Sequence, residues 1–257
     1  MDYGKLYDEH VVDTYDEDAL GLLAGARSLA IAQAISSNLP AHATILDLGV
    51  GTGQTLTALK HRFPQGKMIG VDLSARMIAA AHRKLAFEAH VDDACNAGRH
   101  VPPGSVDLVL AHFLTTFVNR PRLFRAAAGT MKPTGLFSVV STTSEAFRGV
   151  RMGVDQLLGH AGIAAAVSPA PETGDTLSAE LRDAGFDVLK VETFRKAVVF
   201  ASFDETLKWG LQSGFFAHAV EALGVEKISA LAGLTQGMFP FHDEYVGVAI
   251  LATPRPA

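Results

Sequence analysis

Asp47, Gly49, Gly51, Gly53 and Asp72 are the residues whose types and spacing can do chemistry together. They lie in Thr44 to Asp72, the stretch around which the chain is organised. Thr44 to Leu48 has buried-strand character, three glycines follow at alternate positions, and Gln54 to Arg62 reads as a helix. Glycines permit positive φ and let a ligand reach the main chain without meeting a Cβ, while the first turn of a helix presents unpaired N–H groups. A second strand, Lys67 to Val71, ends in Asp72. A short βαβ unit brings that carboxylate beside the glycine turn, where it can accept both hydroxyls of a ribose.

The glycine spacing selects among nucleoside ligands. A dinucleotide fingerprint needs G-x-G-x-x-G, whereas the pattern here is G-x-G-x-G, with Gln54 at the position of the third dinucleotide glycine. Asp47 adds a carboxylate facing the turn, which repels a pyrophosphate and suits an ammonium or sulfonium. S-adenosylmethionine fits better than NAD. At Asp47, Gly49, Gly51 and Gly53 the sequence resembles the class I S-adenosylmethionine-dependent methyltransferases, small-molecule type, whose first motif is an acid followed by G-x-G-x-G.

The resemblance implies an α/β fold, a doubly wound, seven-stranded, mostly parallel Rossmann-like sheet in the order 3-2-1-4-5-7-6 with a small helical cap. It implies S-adenosylmethionine as cofactor, S-adenosylhomocysteine as product and no metal. The cofactor-facing residues it implies beyond the motif and Asp72 are Tyr15, Val50, Gln54, Leu73, Met77, Asp93, Ala94 and Ala111, with Asp92 the choice after a one-residue slip. Thr134 departs from the family's usual proline followed by two glycines. Two other readings stand beside methyl transfer: a protein that binds the cofactor without methylating anything, and a nicotinamide oxidoreductase.

Composition bounds the function. The 257 residues suffice for one large α/β domain with a cap, and 48% apolar residues can fill a core between a sheet and two helical layers. No apolar run reaches the about 18 residues of a membrane span. The polar Met1-Asp2-Tyr3-Gly4-Lys5 start does not read as a secretory signal, and the single cysteine, Cys95, has no internal partner, so a cytoplasmic setting is expected. With 22 Lys+Arg against 27 Asp+Glu, net −5, and no basic run, neither nucleic acid nor a membrane surface is an expected partner. A small-molecule substrate is; monomer and homodimer both stay open. No C-x-x-C pair, metal-ligand spacing or G-x-S-x-G elbow occurs.

Around the motif, residues 1–40 read as an N-terminal arm and helix covering the cofactor site, and 41–257 as the methyltransferase domain with cap insertions at about 144–176 and 202–241. Tyr3 to Asp18 is an acidic arm, with Tyr15 either over the cofactor or simply packed, and Ala19 to Leu39 is helical. Ser74 caps a helix over Ala75 to Leu85, Phe87 to Val91 and Val106 to Ala111 are strands, and Asn119 with Pro121 opens Arg122 to Met131. Leu136 to Val140 is the fifth strand, Leu177 to Ala184 a helix closed by Gly185, and Phe186 to Val191 the sixth strand. Ser202 and Glu205 have capping-box spacing for a helix over Phe203 to Leu223, another follows over Val225 to Leu234, and Tyr245 to Ala252 returns antiparallel.

His112, Phe113 and Phe117 come directly after the fourth strand, where ligand crevices form. There His112 is a general base or a hydrogen-bonded wall residue. Trp209 and Phe216 of the aromatic cap line an apolar acceptor pocket or pack on the sheet. The expected reaction is in-line methyl displacement onto an O, N, C or S nucleophile, driven mainly by positioning.

Overall fold

The structure, a computed structural model, describes residues 3–158, 171–216, 220, 224–229 and 236–256. Its centre is a sheet in the order β3-β2-β1-β4-β5-β7-β6. The strands are β1 (Thr44–Leu48), β2 (Lys67–Asp72), β3 (Glu88–Val91), β4 (Val106–His112), β5 (Met131–Thr142), β6 (Phe186–Phe200) and β7 (Phe241–Pro254). β7 runs antiparallel to both β5 and β6, and the remaining pairs are parallel. The seven strands and their order match the expectation.

β4 is buried at every position, as a strand covered on both faces must be. Alternate side chains feed opposite cores. Val109 and Ala111 pack with Leu123 and Phe124 of α5 (Arg120–Thr130), whereas Leu108 and Leu110 pack with Leu56 and Leu59 of α3 (Gln54–Arg62). Helix starts follow side-chain chemistry. Ser74 Oγ accepts from Met77 N at 2.9 Å at the head of α4 (Ala75–His82), and Asn119 Oδ1 accepts from Arg122 N at 3.1 Å. At α2 (Leu22–Ile35) the Asp18 carboxylate accepts from the amides of Leu22, Leu23 and Ala24.

Several boundaries differ from expectation for identifiable reasons. β5 begins at Met131, and its pairing to β4 shifts between Val106 and Leu108, so the expected turn Lys132 to Gly135 is a bulge inside the strand. β6 continues to Phe200, well past Val191, and β7 starts at Phe241. Pairing of β5 with β7 ends at Thr142↔Gly247, so the pairs from Arg195↔Val246 to Phe200↔Phe241 form a two-stranded ribbon beyond the sheet. Its exposed charged residues, Arg195 and Lys196 among them, obscured it in the sequence. The ribbon's inner residues Val198, Phe200 and Tyr245 pack with Trp209 of α8 (Phe203–Gln212), so part of the expected helical cap is β structure.

α8 ends at Gln212 because Gly214 adopts φ 72°, and Phe216 N then donates back to Gly210 O at 3.0 Å. The continuations expected over 217–219, 221–223 and 230–235 lie outside the described residues, as does 159–170 with His160. Between them stands the short α9 (Val225–Ser229). α6 (Arg148–Leu158) occupies part of the expected cap insertion at about 144–176, and α7 (Gly174–Asp183) precedes Gly185, which has φ 92°. The amino-terminal arm is ordered as α1 (Tyr3–His10) and a 3-10 turn (Tyr15–Glu17), with Val11 and Val12 buried against Met77 and Ala80 of α4. Strand order reverses between β1 and β4, and the arm crosses the crevice at their carboxyl ends, where open α/β sheets bind ligands.

Candidate functional site

The glycine turn is built as its spacing requires. Gly49, Gly51 and Gly53 all have positive φ, at 74°, 53° and 77°. Gly49 N and Val50 N both donate to Val71 O, at 2.8 and 3.0 Å, which ties the turn to the end of β2. A Cβ on Gly51 would meet nothing, so this backbone faces open space, whereas one on Gly53 would lie 2.8 Å from Ala81 Cβ. Gly53 therefore packs the turn onto α4. Asp72 Oδ2 accepts from Gly51 N at 2.8 Å and Oδ1 from Ser74 N at 2.9 Å, and burial raises the carboxyl's pKa.

Two cavities border this turn, and a third shares lining residues with them. A cleft of about 680 Å3 is lined by Gly49, Gly51, Asp72, Leu73, Met77, Asp93 and Ala94, with Tyr3, Tyr7 and Tyr15 of the arm across from them. A smaller one of about 300 Å3 holds Asp47, Val50, Thr52, Gln54 and Arg27. A third, of about 660 Å3, extends to Trp209, Phe215 and Tyr245 beneath the ribbon. Tyr7, Tyr15, Phe113 and Phe117 line both large cavities and form the partition between them.

Asp47 is the chemical focus of the smallest cavity. Its Oδ1 is buried with no hydrogen-bond partner, one of two such side-chain atoms among the described residues. Burial raises its pKa well above the ordinary value, with Arg27 pulling it down and Asp72 pushing it further up. A buried acceptor left unsatisfied is costly unless a ligand donor completes it. Arg27 sits with its guanidinium 5.8 Å from the Phe113 ring centroid. It is the sole charged residue of α2, a helix otherwise built of apolar, small and neutral polar side chains, and that isolation was the signal the sequence offered.

The arm is latched by ion pairs and hydrogen bonds. Asp16 Oδ1 accepts from Thr52 Oγ1 at 2.5 Å and Gln54 Nε2 at 3.0 Å, and Lys84 Nζ reaches Asp16 Oδ2 at 2.5 Å and Thr52 O at 2.8 Å. Burial opposes ionisation of Asp16, but these donors outweigh it and hold the carboxyl below its usual value. Arg76 grips both oxygens of Asp13 at 2.9 Å, and Asp8 accepts from Ser74 Oγ.

Most expected site residues lie at these cavities, and four placements refine the reading. Ala111 is in the core on the face of β4 opposite His112 and lines none of these three cavities. Phe216 packs edge-on against Trp209, at 6.4 Å between ring centroids, and Phe215 takes its place on the acceptor side. Asp93 lines the cleft, whereas Asp92 turns to Asn96 and His100, whose hydrogen bonds hold its pKa to about 2. His112 is 8% exposed, with Nδ1 3.3 Å from Thr55 Oγ1 and Nε2 3.0 Å from Ser138 Oγ. Burial lowers its pKa to about 3, so the ring is neutral and both nitrogens are engaged. Among the described residues no group of three or more His, Cys, Asp or Glu is placed to hold a metal ion, and no helix is long and apolar enough to cross a membrane.

Residues 45–135 match a protein family described as "Methyltransferase domain". A trans-aconitate 2-methyltransferase of Afipia carboxidovorans is 34% identical over 74 residues, which are 29% of this chain and 28% of that protein. The curated relatives are matched over 28% to 42% of their own length. The whole fold is shared more widely. The YcgJ protein of Bacillus subtilis superposes with TM-score 0.62 at 15% identity, covering 90% of this chain and 100% of that one. The [4+2]-cyclase SpnF does so with TM-score 0.60 at 18% identity, covering 99% and 96%. The family match is to the part of the chain around the glycine turn, and the fold of the whole chain is that of the solved structures.

Proposed function

We propose that this chain, whose residues 45–135 carry a methyltransferase domain, transfers a methyl group from S-adenosylmethionine to a small-molecule acceptor. The observation that carries the proposal is the partnerless buried Asp47 Oδ1 beside three positive-φ glycines and Asp72. This donor set fits a ligand with an ammonium at one end and a ribose at the other. A pyrophosphate would meet two carboxylates there.

Bound S-adenosylmethionine supplies a sulfonium-activated methyl; a nucleophile forms the new bond to carbon as the sulfur–carbon bond breaks, leaving S-adenosylhomocysteine. The chain's residues do the positioning. Asp47 accepts from the ammonium, Arg27 neutralises the carboxylate at the same end, and the spare lone pairs of Asp72 take the ribose hydroxyls. Asp93 and Ala94 flank the purine edge, Leu73 and Met77 cover it, and Tyr15 with the rest of the arm excludes water. Val50 and Gln54 complete the amino-acid end. Phe113, Phe117 and Trp209 present the acceptor to the methyl. His112, neutral and hydrogen-bonded at both nitrogens, is assigned to the wall of the site.

Residues 1–40 serve as the covering arm, and the ribbon and helices within 144–176 and 202–241 as the acceptor cap. A setting in the cytoplasm, away from nucleic acid, accords with the net charge of −5. The trans-aconitate named for the curated relatives has three carboxylates, a charge this acceptor cavity is not lined to receive. One observation favours a second reading: a same-fold neighbour is named as a [4+2]-cyclase. Binding without methyl transfer is separated from methyl transfer by incubation with labelled S-adenosylmethionine and pooled metabolites. Saturable S-adenosylhomocysteine binding with labelled product supports the proposal; saturation by NADH alone refutes it.

A further inference from the structure

The third cavity carries information about the acceptor that rests on the methyl-transfer reading but reaches beyond it. Its partition and floor are aromatic, with Phe113 and Phe117 facing Trp209 and Tyr245. Among the described residues no lysine or arginine lines it. The one formal charge among them, Asp18, is already committed to three amides at the head of α2, at 2.8 to 3.3 Å.

Two cations near the partition and the head of α2 are already engaged. Arg27 lies in the cavity of Asp47, over the Phe113 ring, and Lys196 Nζ donates to Leu20 O at 2.5 Å. The internal stretches outside the described residues, 159–170, 217–219, 221–223 and 230–235, contain no lysine or arginine, so they bring no permanent positive charge to the cavity. An anionic acceptor would leave water for a pocket without a countercharge and beside a carboxylate, which is strongly unfavourable. The remaining polar atoms are hydroxyls, such as Thr116 and Ser213, suited to one uncharged polar group.

We propose that the acceptor is an uncharged, ring-containing, largely apolar molecule whose nucleophile is its main polar group, and that carboxylates and phosphates are excluded by the absence of any paired cation. Its recognition is by stacking and edge contacts on the aromatic walls, with the hydroxyls orienting the nucleophile.

The test uses the full chain and three ring-matched probes: 2-naphthol, 2-naphthoate and 2-naphthylmethylammonium. Each is titrated calorimetrically with and without saturating S-adenosylhomocysteine. Emission of Trp209, the single tryptophan, reports whether the cavity is the site. We expect 2-naphthol to bind at least tenfold more tightly than either charged probe and to change Trp209 emission. Thr116→Arg, which installs the missing cation, should raise naphthoate affinity at least tenfold while leaving S-adenosylhomocysteine affinity unchanged. Naphthoate binding the natural sequence as tightly as 2-naphthol, the ammonium binding more tightly than either, or no probe binding at all overturns the inference. The cofactor reading is judged separately, by the S-adenosylhomocysteine titration alone.

Discussion

Asp72 accepts the Gly51 amide through Oδ2 at 2.8 Å, so the acid at the end of the second strand holds the glycine turn as well as facing the cleft. Asp72→Ala would therefore cost both ligand affinity and the order of the turn. The glycines separate these roles. Gly51→Ala meets no neighbour but keeps a left-handed φ, at a cost of about 1–2 kcal/mol, and puts a methyl into the cleft. Gly53→Ala adds a clash with Ala81 and should lower stability by about 2–4 kcal/mol. Chemical denaturation paired with S-adenosylhomocysteine titration should show Gly51→Ala losing mainly affinity and Gly53→Ala mainly stability.

Asp47 should trade stability for binding. Because burial raises its carboxyl pKa, the folded protein holds that proton more tightly than the unfolded chain. The stability it contributes is full at pH below the ordinary carboxylate value and is lost as pH rises through the raised one. Asp47→Asn should therefore raise the Tm of the ligand-free protein at pH 7 by a few degrees and flatten its acid-side dependence. The same variant should weaken S-adenosylhomocysteine by about 1.5–3 kcal/mol, the range for hydrogen bonds to a charged group. An unchanged affinity would remove Asp47 from the site.

His112 should be silent in the pH profile. With its pKa lowered to about 3 from the ordinary 6.5, it favours the folded state above the ordinary value, and this contribution is lost as pH falls through the lowered one. Ring resonances should not titrate between about pH 5 and 8. His112→Ala leaves the Thr55 and Ser138 hydroxyls without this partner, so it should cost about 1–3 kcal/mol of stability. Turnover should fall far less than the about 100-fold expected for loss of a general base.

The arm latch should govern release. Asp16 is more than a third exposed, so after solvent screening its ion pair to Lys84 is worth about 0.5–1 kcal/mol. Asp16→Ala should speed S-adenosylhomocysteine dissociation by about two- to fivefold in stopped flow. Salt should speed the natural sequence similarly and the variant less.

The central domain was legible because glycine spacing, strand hydrophobicity and caps at Ser74, Asn119 and Ser202 all point one way. Helix α3 has the expected bounds, and β1 and β2 nearly so. The ribbon was hidden because Arg195 and Lys196 interrupt the alternation of apolar residues, and the strand's partners lie far along the chain. His112 could not be resolved from sequence, since its state depends on Thr55 and Ser138, on separate elements. Arg27 was overlooked for the same reason: a helix register places it at Asp47, and only the packed fold brings the two together.

Tyr7 and Tyr15 belong to the arm yet form half of the partition that also bounds the second large cavity. With the arm lifted, that compartment keeps only Phe113 and Phe117 of its wall on the nucleoside side. Occupancy thus has a sequence in time: the nucleoside enters first, the arm seats, and only then does the other reactant find an enclosed berth. Steady-state patterns should be those of a compulsory order, with the demethylated nucleoside the last species to depart.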